Sequence, residues 1–190
     1  VFCIEISENG GWDWETVTDD VPEKYLDWKF ETFAIVPSPH TAGRVVVGAS
    51  FEHVVEQIHE GVFYIGDYDE NSKTWEFEYV VLPEGTEIDR IIDIVFDSFD
   101  PNLLYAATYG TGLWRSEDGG VTWENIPIAD MQPPIRIEDI AVHPDVPDKV
   151  YVRAFSLATD HPDPELWVSN DRGDNWQPMT YVNLGEDLVL

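Results

Sequence analysis

The chain has 190 residues, 43% hydrophobic and 13% aromatic, which is enough to bury one substantial core and too apolar for a disordered polymer. Ten basic residues against 38 acidic ones give a formal net charge of −28, which repels nucleic-acid phosphates and anionic membrane surfaces alike. No run of about 18 apolar residues is available to span a bilayer, no basic-then-apolar leader is read at Val1, and the single cysteine, Cys3, has no partner for an internal disulfide and is expected as a buried thiol.

Short apolar runs separated by Pro, Asp and Gly turns follow one another, and no long helical pattern interrupts them. Ser7-Glu8-Asn9-Gly10-Gly11-Trp12-Asp13-Trp14 is a polar turn ending in tryptophan. A connector (15–31) leads to an expected strand at 33–36, a Pro turn (36–39), a second strand at 44–47, a variable segment (49–61) and a third strand at 62–65. The stretch Asp67 to Trp75 then turns the chain. The order repeats: a connector (76–90), strands at 91–96 and 103–107 around an Asp/Pro turn (97–101), a strand at 113–115, and the turn Ser116 to Trp123. It repeats once more: a connector (124–136), strands at 137–142 and 149–153 around 143–147, a variable segment (155–165), a strand at 166–168, and the turn Ser169 to Trp176. Trp14, Trp75, Trp123 and Trp176 are therefore spaced by 61, 48 and 53 residues, the length of a four-stranded repeat with variable loops.

The clearest copy of the turn is Ser116-Glu117-Asp118-Gly119-Gly120-Val121-Thr122-Trp123. Ser116 and Asp118 can bond their own backbone, Gly119 and Gly120 permit positive φ, and Trp123 opens the next strand with a large face to bury. This Ser-x-Asp-x-Gly-x-Thr-Trp pattern resembles the Asp-box, or bacterial neuraminidase repeat, of sialidases, sortilin-type receptors, xyloglucan-active glycoside hydrolases and photosystem assembly factors. The positions that carry it are Ser7, Asn9 and Trp14; Asp67 and Trp75; Ser116, Asp118, Gly120 and Trp123; and Ser169, Asp171, Gly173 and Trp176. Asn9 in place of Asp, Asn175 or Asp13 in place of Thr, and the missing Gly after Asp67 are expected to weaken individual copies.

The resemblance implies an all-β chain, a β-propeller of four-stranded antiparallel blades. Residues 1–18 form an outer half-blade, 19–82, 83–128 and 129–181 form whole blades, and 182–190 form a tail. Propellers usually need four to eight blades to close, so about three and a half blades imply that the remaining blades, or another chain, complete the ring. The resemblance also implies an exported protein, secreted, periplasmic or at the cell surface, with the box turns structural and remote from the site.

Strand order puts the box turns on one face and the long connectors on the other, where a ligand would be met. The candidates there are Tyr25, Trp28, His53, His59, Arg90, Tyr109, Arg136 and His161. Asp93 and Asp139 hold equivalent places in two inner strands and are the candidate catalytic carboxylates, because glycosidic cleavage needs one carboxyl as acid and another as base or nucleophile. Asp67, Asp69, Asn71 and Glu78 have the oxygen-ligand spacing of a calcium loop, with Ser72 where the required Gly would stand. The stretch reads better as an inserted turn, so no cofactor is expected, calcium being the one weighed. His53, Glu56 and His59 fail as a metal site because a spacing of six puts the histidines on different sides of a helix. Arg172-Gly173-Asp174 spells an adhesion tripeptide inside a box turn. The six arginines are scattered along the chain, unlike the three that sialidases converge on a substrate carboxylate, and the charge disfavours an anionic sugar.

The sequence therefore reads as a non-catalytic segment of an exported propeller, a scaffold or binding platform for protein or neutral glycan. Its alternative is part of a glycoside hydrolase acting on a neutral β-glucan such as xyloglucan. The acidic excess predicts a folded state strained by self-repulsion and relieved by screening. The thermal midpoint should rise as NaCl increases from about 0.05 to about 1 M; a flat or falling midpoint would show that the carboxylates do not repel appreciably.

Overall fold

The computed structural model describes residues 4–7, 12–13, 15–18, 22–158 and 165–179. Cys3, Asn9, Trp14, His161 and the tail 182–190 lie outside them. A two-stranded antiparallel hairpin, β1 (Ile4–Ile6) and β2 (Glu15–Thr18), precedes a single 3-10 turn at Glu23–Tyr25. Three four-stranded antiparallel meanders follow: β3 (Lys29–Pro37), β4 (Arg44–His53), β5 (Ile58–Asp69) and β6 (Thr74–Tyr79); β7 (Ile91–Phe96), β8 (Leu104–Thr108), β9 (Leu113–Ser116) and β10 (Glu124–Ile126); β11 (Ile135–Val142), β12 (Val150–Ser156), β13 (Glu165–Ser169) and β14 (Gln177–Pro178). This is the expected all-β, four-stranded order.

Two expected loops are in fact strand. The segment 49–61 extends β4 to His53 and starts β5 at Ile58, leaving only the turn 54–57. Alternating Ala49 and Phe51 are buried under Tyr25, whose ring stacks on Phe51 at 4.7 Å, so pairing carries on beyond the point where blade-length strands would end. The connector 15–31 likewise contains β2 and the first residues of β3.

Alternation within the strands divides the apolar side chains between the two faces of each sheet. Val46, Phe63 and Ile65 of the first sheet meet Ile91, Ile94, Phe96, Leu104 and Trp114 of the second. Leu103, Tyr105, Ala107 and Leu113 of the second meet Ile137, Ile140, Val150, Val152 and Trp167 of the third. Val47, Ala49, Phe51, Val62 and Tyr64 point away from the second sheet and pack with Tyr25, Trp28 and Tyr79. Each sheet after the first thus closes on the one before it.

The Ser-x-Asp turns make that closure exact in register. Ser116 Oγ accepts from the Gly120 N–H at 2.9 Å and donates to Asp118 Oδ1 at 2.9 Å, while Asp118 accepts from the Thr122 N–H and hydroxyl at 2.8 and 2.6 Å. Ser169, Asp171 and Gly173 repeat the pattern, and Asn175 takes the role of Thr122, donating from its backbone and from Nδ2 at 2.9 and 2.7 Å. Asn175 therefore preserves the turn rather than weakening it, because an amide N–H replaces the hydroxyl as donor. Burial alone would raise the Asp118 pKa, but the bonds from Thr122 and Ser116 outweigh it and hold this carboxyl below its usual range; bonds from Asn175 and Ser169 do the same for Asp171.

The turn at Asp67 to Trp75 is different. Asp67 lies within β5 and forms a two-pronged pair with Arg44 at 2.8 Å on each side, and Asp69 caps the hairpin by accepting from the Asn71 N–H at 2.7 Å. The missing glycine leaves a shorter turn with Lys73 at φ 62°. Trp123, fixed by its Nε1–H to the Gly120 carbonyl at 2.8 Å, stacks on Phe63 of the preceding sheet, with centroids 4.1 Å apart. Trp123→Ala should cost about 3–5 kcal/mol of unfolding free energy, measured by urea denaturation; a loss below about 1 kcal/mol would mean that this stack does not hold the sheets together.

Candidate binding face

The Ser-x-Asp turns bond to the first turn of their own sheet, Gly119 N–H to the Asn102 carbonyl and Arg172 N–H to the Asp148 carbonyl, both at 2.9 Å. That end of the molecule is consequently occupied by structure, and the connectors gather at the other.

At the connector end, each inner strand carries a register shift: between Phe30 and Thr32, between Ile91 and Asp93, and between Ile137 and Asp139. The extra residues are Glu31, Ile92 and Glu138. A bulge re-aims a side chain out of the alternating pattern, and here it brings two carboxylates to cations. Glu31 bonds His59 Nδ1 at 2.8 Å and lies 4.0 Å from Arg90 Nε. Glu138 pairs with Arg136 at 3.0 Å and Arg153 at 2.6 Å.

Bonds between sheets set the spacing of these groups. Gly61 N–H donates to the Ile88 carbonyl and Ile91 N–H to Ser50 Oγ, tying the second sheet to the first just beside Arg90. Across the next junction Gly112 N–H donates to the Ile135 carbonyl and Ile135 N–H to the Gly110 carbonyl, beside Arg136 and Tyr109. The result is a continuous ladder. Arg90 lies 3.9 Å over the Tyr109 ring and Arg136 lies 4.9 Å from the same ring. Arg136 and Arg153 then approach Phe155 at 5.9 and 5.4 Å. Guanidinium groups over aromatic faces contribute about 0.5–1 kcal/mol each when partly exposed. The Nε atoms of Arg90 and Arg136 are buried and have no hydrogen-bond partner among the described residues.

Three of the arginines that look scattered in the sequence are thus aligned, which corrects that expectation: the turns and connectors between them are folded out of the way. Arg90, Tyr109 and Arg136 come together as one group, whereas other sequence candidates do not join it. Tyr25 is 3% exposed, its hydroxyl bonded to Glu60 at 2.6 Å, and it is a core residue. Trp28 packs edge-on against Tyr25, and its ring lies 5.2 Å from that of His53. His59 belongs to the ladder's flank through Glu31. Sequence reasoning missed Arg153, Phe155, Glu31 and Glu138, since a one-residue bulge has no signature in a single sequence.

Asp93 and Asp139 both follow a bulge. Burial pushes the Asp93 pKa up, opposed by its bond from the Ile94 N–H, and the charge of Asp139 raises it further. The charge of Asp139 thus reaches Asp93, although Asp139 is largely exposed and 3.8 Å from Arg153. The calcium-loop candidates are dispersed: Asp67 is taken by Arg44, Asp69 caps its turn and Glu78 is exposed on β6. Among the described residues no group of three or more His, Cys, Asp or Glu could hold a metal ion. In the adhesion tripeptide, Arg172 is held by Asp148 and Asp100 and Asp174 by Arg115, so both charges are internally paired.

A family model described as Sortilin-Vps10, "Sortilin, neurotensin receptor 3", matches residues 69–183. This chain belongs to the Sortilin-Vps10 family. No curated protein matches it in sequence. Among solved structures, an ancestral GH74 enzyme superposes with a TM-score of 0.63 at 18% identity, over 94% of this chain and 23% of that one. A polysaccharide lyase of family PL25, an ulvan lyase, matches with a TM-score of 0.48 at 14% identity, over 93% of this chain and 48% of that one. The first likeness shows the fold, a partial β-propeller, and this chain spans less than a quarter of that enzyme's length. Among the described residues, no helix of this member of the family is long and apolar enough to cross a membrane.

The electrostatic link between the two aspartates has a measurable sign. A carboxyl whose folded pKa is raised destabilises the fold as pH climbs from the unfolded pKa through the folded one. Asp139→Asn removes one cause of the Asp93 shift, so the Asp93 pKa should fall, read by carboxyl-carbon NMR titration. An unchanged value would show that burial alone perturbs Asp93.

Proposed function

We propose that this chain is a non-catalytic part of an exported Asp-box propeller and serves as a binding platform for protein or neutral glycan, with the arginine–aromatic ladder as its contact surface. The observation that carries this reading is the alignment of Arg90, Tyr109, Arg136, Phe155 and Arg153 across two sheets. Arg and Tyr are the residue types that dominate binding energy at protein interfaces, because each offers a large, rigid contact area with fixed donors. The side chains are already held by Glu31 and Glu138, which lowers the entropy lost on binding. A protein partner is favoured over a glycan here, since two guanidinium groups already lie against the Tyr109 ring on which a sugar would stack. The family description, a receptor, agrees with this reading. The remaining blades of the ring would come from beyond these residues or from another chain.

A second reading, part of a glycoside hydrolase acting on a neutral β-glucan such as xyloglucan, is favoured by one observation: Asp93 is raised in part by the charge of Asp139, as expected of an acid–base pair. The experiment that separates the two uses immobilised protein exposed to a peptide library and to xyloglucan oligosaccharides. On the platform reading, Arg90→Ala with Arg136→Ala weakens peptide capture by about 30-fold or more, Asp93→Asn leaves it unchanged, and xyloglucan chains stay intact. Shortened xyloglucan chains, with cleavage abolished by Asp93→Asn, would replace the platform by the hydrolase.

A further inference from the structure

The β5–β6 hairpin uses its aromatic rings differently from the Ser116 turn. Trp123 is buried, bonded through Nε1 and stacked on Phe63 of the preceding sheet. Trp75 stands instead within β6, opposite Tyr68 of β5. Along β6, Thr74, Glu76 and Glu78 are exposed while Trp75, Phe77 and Tyr79 are half-buried, and the two-residue period of a strand puts the three rings on one face. Tyr68 lies 5.5 Å from Trp75, and Trp75 5.9 Å from Phe77, whose ring occupies the space that a Cβ at Gly66 would need. Tyr79 meets the buried Tyr64 edge-on at 5.6 Å. The row therefore runs from the core at Tyr64 out to the surface at Trp75 and Tyr68, on the last strand of its sheet. β2 lies beside β6 and leaves these rings half-buried.

Charge decides what such a row receives. Asp69, Glu70, Glu76 and Glu78 neighbour the rings along the chain, and the one cation of that stretch, Lys73, pairs with Glu70 at 2.7 Å. Backbone bonds from Asn71 and Ser72 hold the Asp69 carboxyl below its usual range, so it stays charged. An anionic ligand is repelled here, whereas the negative face of an aromatic ring attracts a cation. The molecule places its own cations in this way: Lys73 lies 5.9 Å over Tyr68, Lys149 5.5 Å over Tyr151 and Arg90 3.9 Å over Tyr109. Among the described residues no cation is placed over Trp75 or Phe77.

We propose that the β5–β6 edge docks a basic segment of a partner protein, with an arginine or lysine side chain lying on Trp75 and Phe77 and further cations of the segment meeting Glu76 and Glu78. Charge complementarity identifies the occupant: a chain of net charge −28 draws in a basic segment from a distance, and the rings fix where it stops. The site is at the turn end of the first sheet, across the molecule from the arginine–aromatic ladder. It neither uses the ladder nor depends on the platform reading.

The test titrates this chain into a dye-labelled Arg-Gly-Arg-Gly-Arg peptide in about 0.05 M NaCl, read by fluorescence anisotropy. Trp75→Ala with Phe77→Ala should weaken binding about ten-fold, and Trp75→Phe, which keeps a ring, should weaken it less than Trp75→Ala. Glu76→Gln with Glu78→Gln, both surface changes that leave the core intact, should also weaken binding and flatten its dependence on salt. Glu84→Gln with Glu87→Gln, which removes as much charge from an exposed connector, should leave it unchanged. No binding by the unaltered chain overturns the proposal. So does equal weakening by both pairs of glutamine substitutions with none from the ring variants, which would mean diffuse attraction. Xyloglucan oligosaccharides bound in place of the peptide and lost with Trp75→Ala would make the row a glycan site instead. Arg90→Ala with Arg136→Ala should not change peptide binding here; a loss would move the peptide to the ladder and overturn this site alone.

Discussion

Successive sheets of this protein must approach closely enough for strand-borne side chains on one to interlock with isoleucines on the next, and the rest of the structure follows from that constraint. Glycine is required where backbone meets side chain: at Gly48 and Gly61 a Cβ would occupy the space of Ile91 and Ile88. At the opposite end the Ser116 and Ser169 turns hold Gly120 and Gly173 at φ 98° and 94°, with Gly173 against Ile126 of the sheet before it. Trp123 then lies flat on Phe63. Burial of this kind is strong and undirected; the turns supply the direction.

The same packing creates the ladder. Once Ile91 and Ile137 are locked into their junctions, the residues before them, Arg90 and Arg136, stand at equal heights on adjacent sheets and share the Tyr109 ring. The bulges at Glu31 and Glu138 then turn carboxylates toward those guanidinium groups. Each charge is held partly out of water beside its partner. In a molecule of net charge −28, the cations at this end are organised by aromatic rings.

How much was legible in advance depends on the range of the interaction. The tryptophan spacing and the Ser116 and Ser169 turns are local patterns, and they led directly to three four-stranded sheets. The extended β4–β5 hairpin was hidden, because its length depends on Tyr25 covering Phe51 from a distant turn. Asp67 was misjudged for a related reason: its sequence context matches a turn, yet Arg44 on the adjacent strand claims it. Of the face candidates, Arg90, Tyr109 and Arg136 came together, while Tyr25 went into the core.

By itself the sequence determined the repeat, its turn chemistry, the all-β class and the acidic surface, since periodicity and turn propensity act over a few residues. Only the tertiary structure decided which cations meet which rings, where the bulged carboxylates point, and that Asp93 feels Asp139. Those relations join residues on different strands and sheets, and their geometry is fixed by how closely the sheets pack.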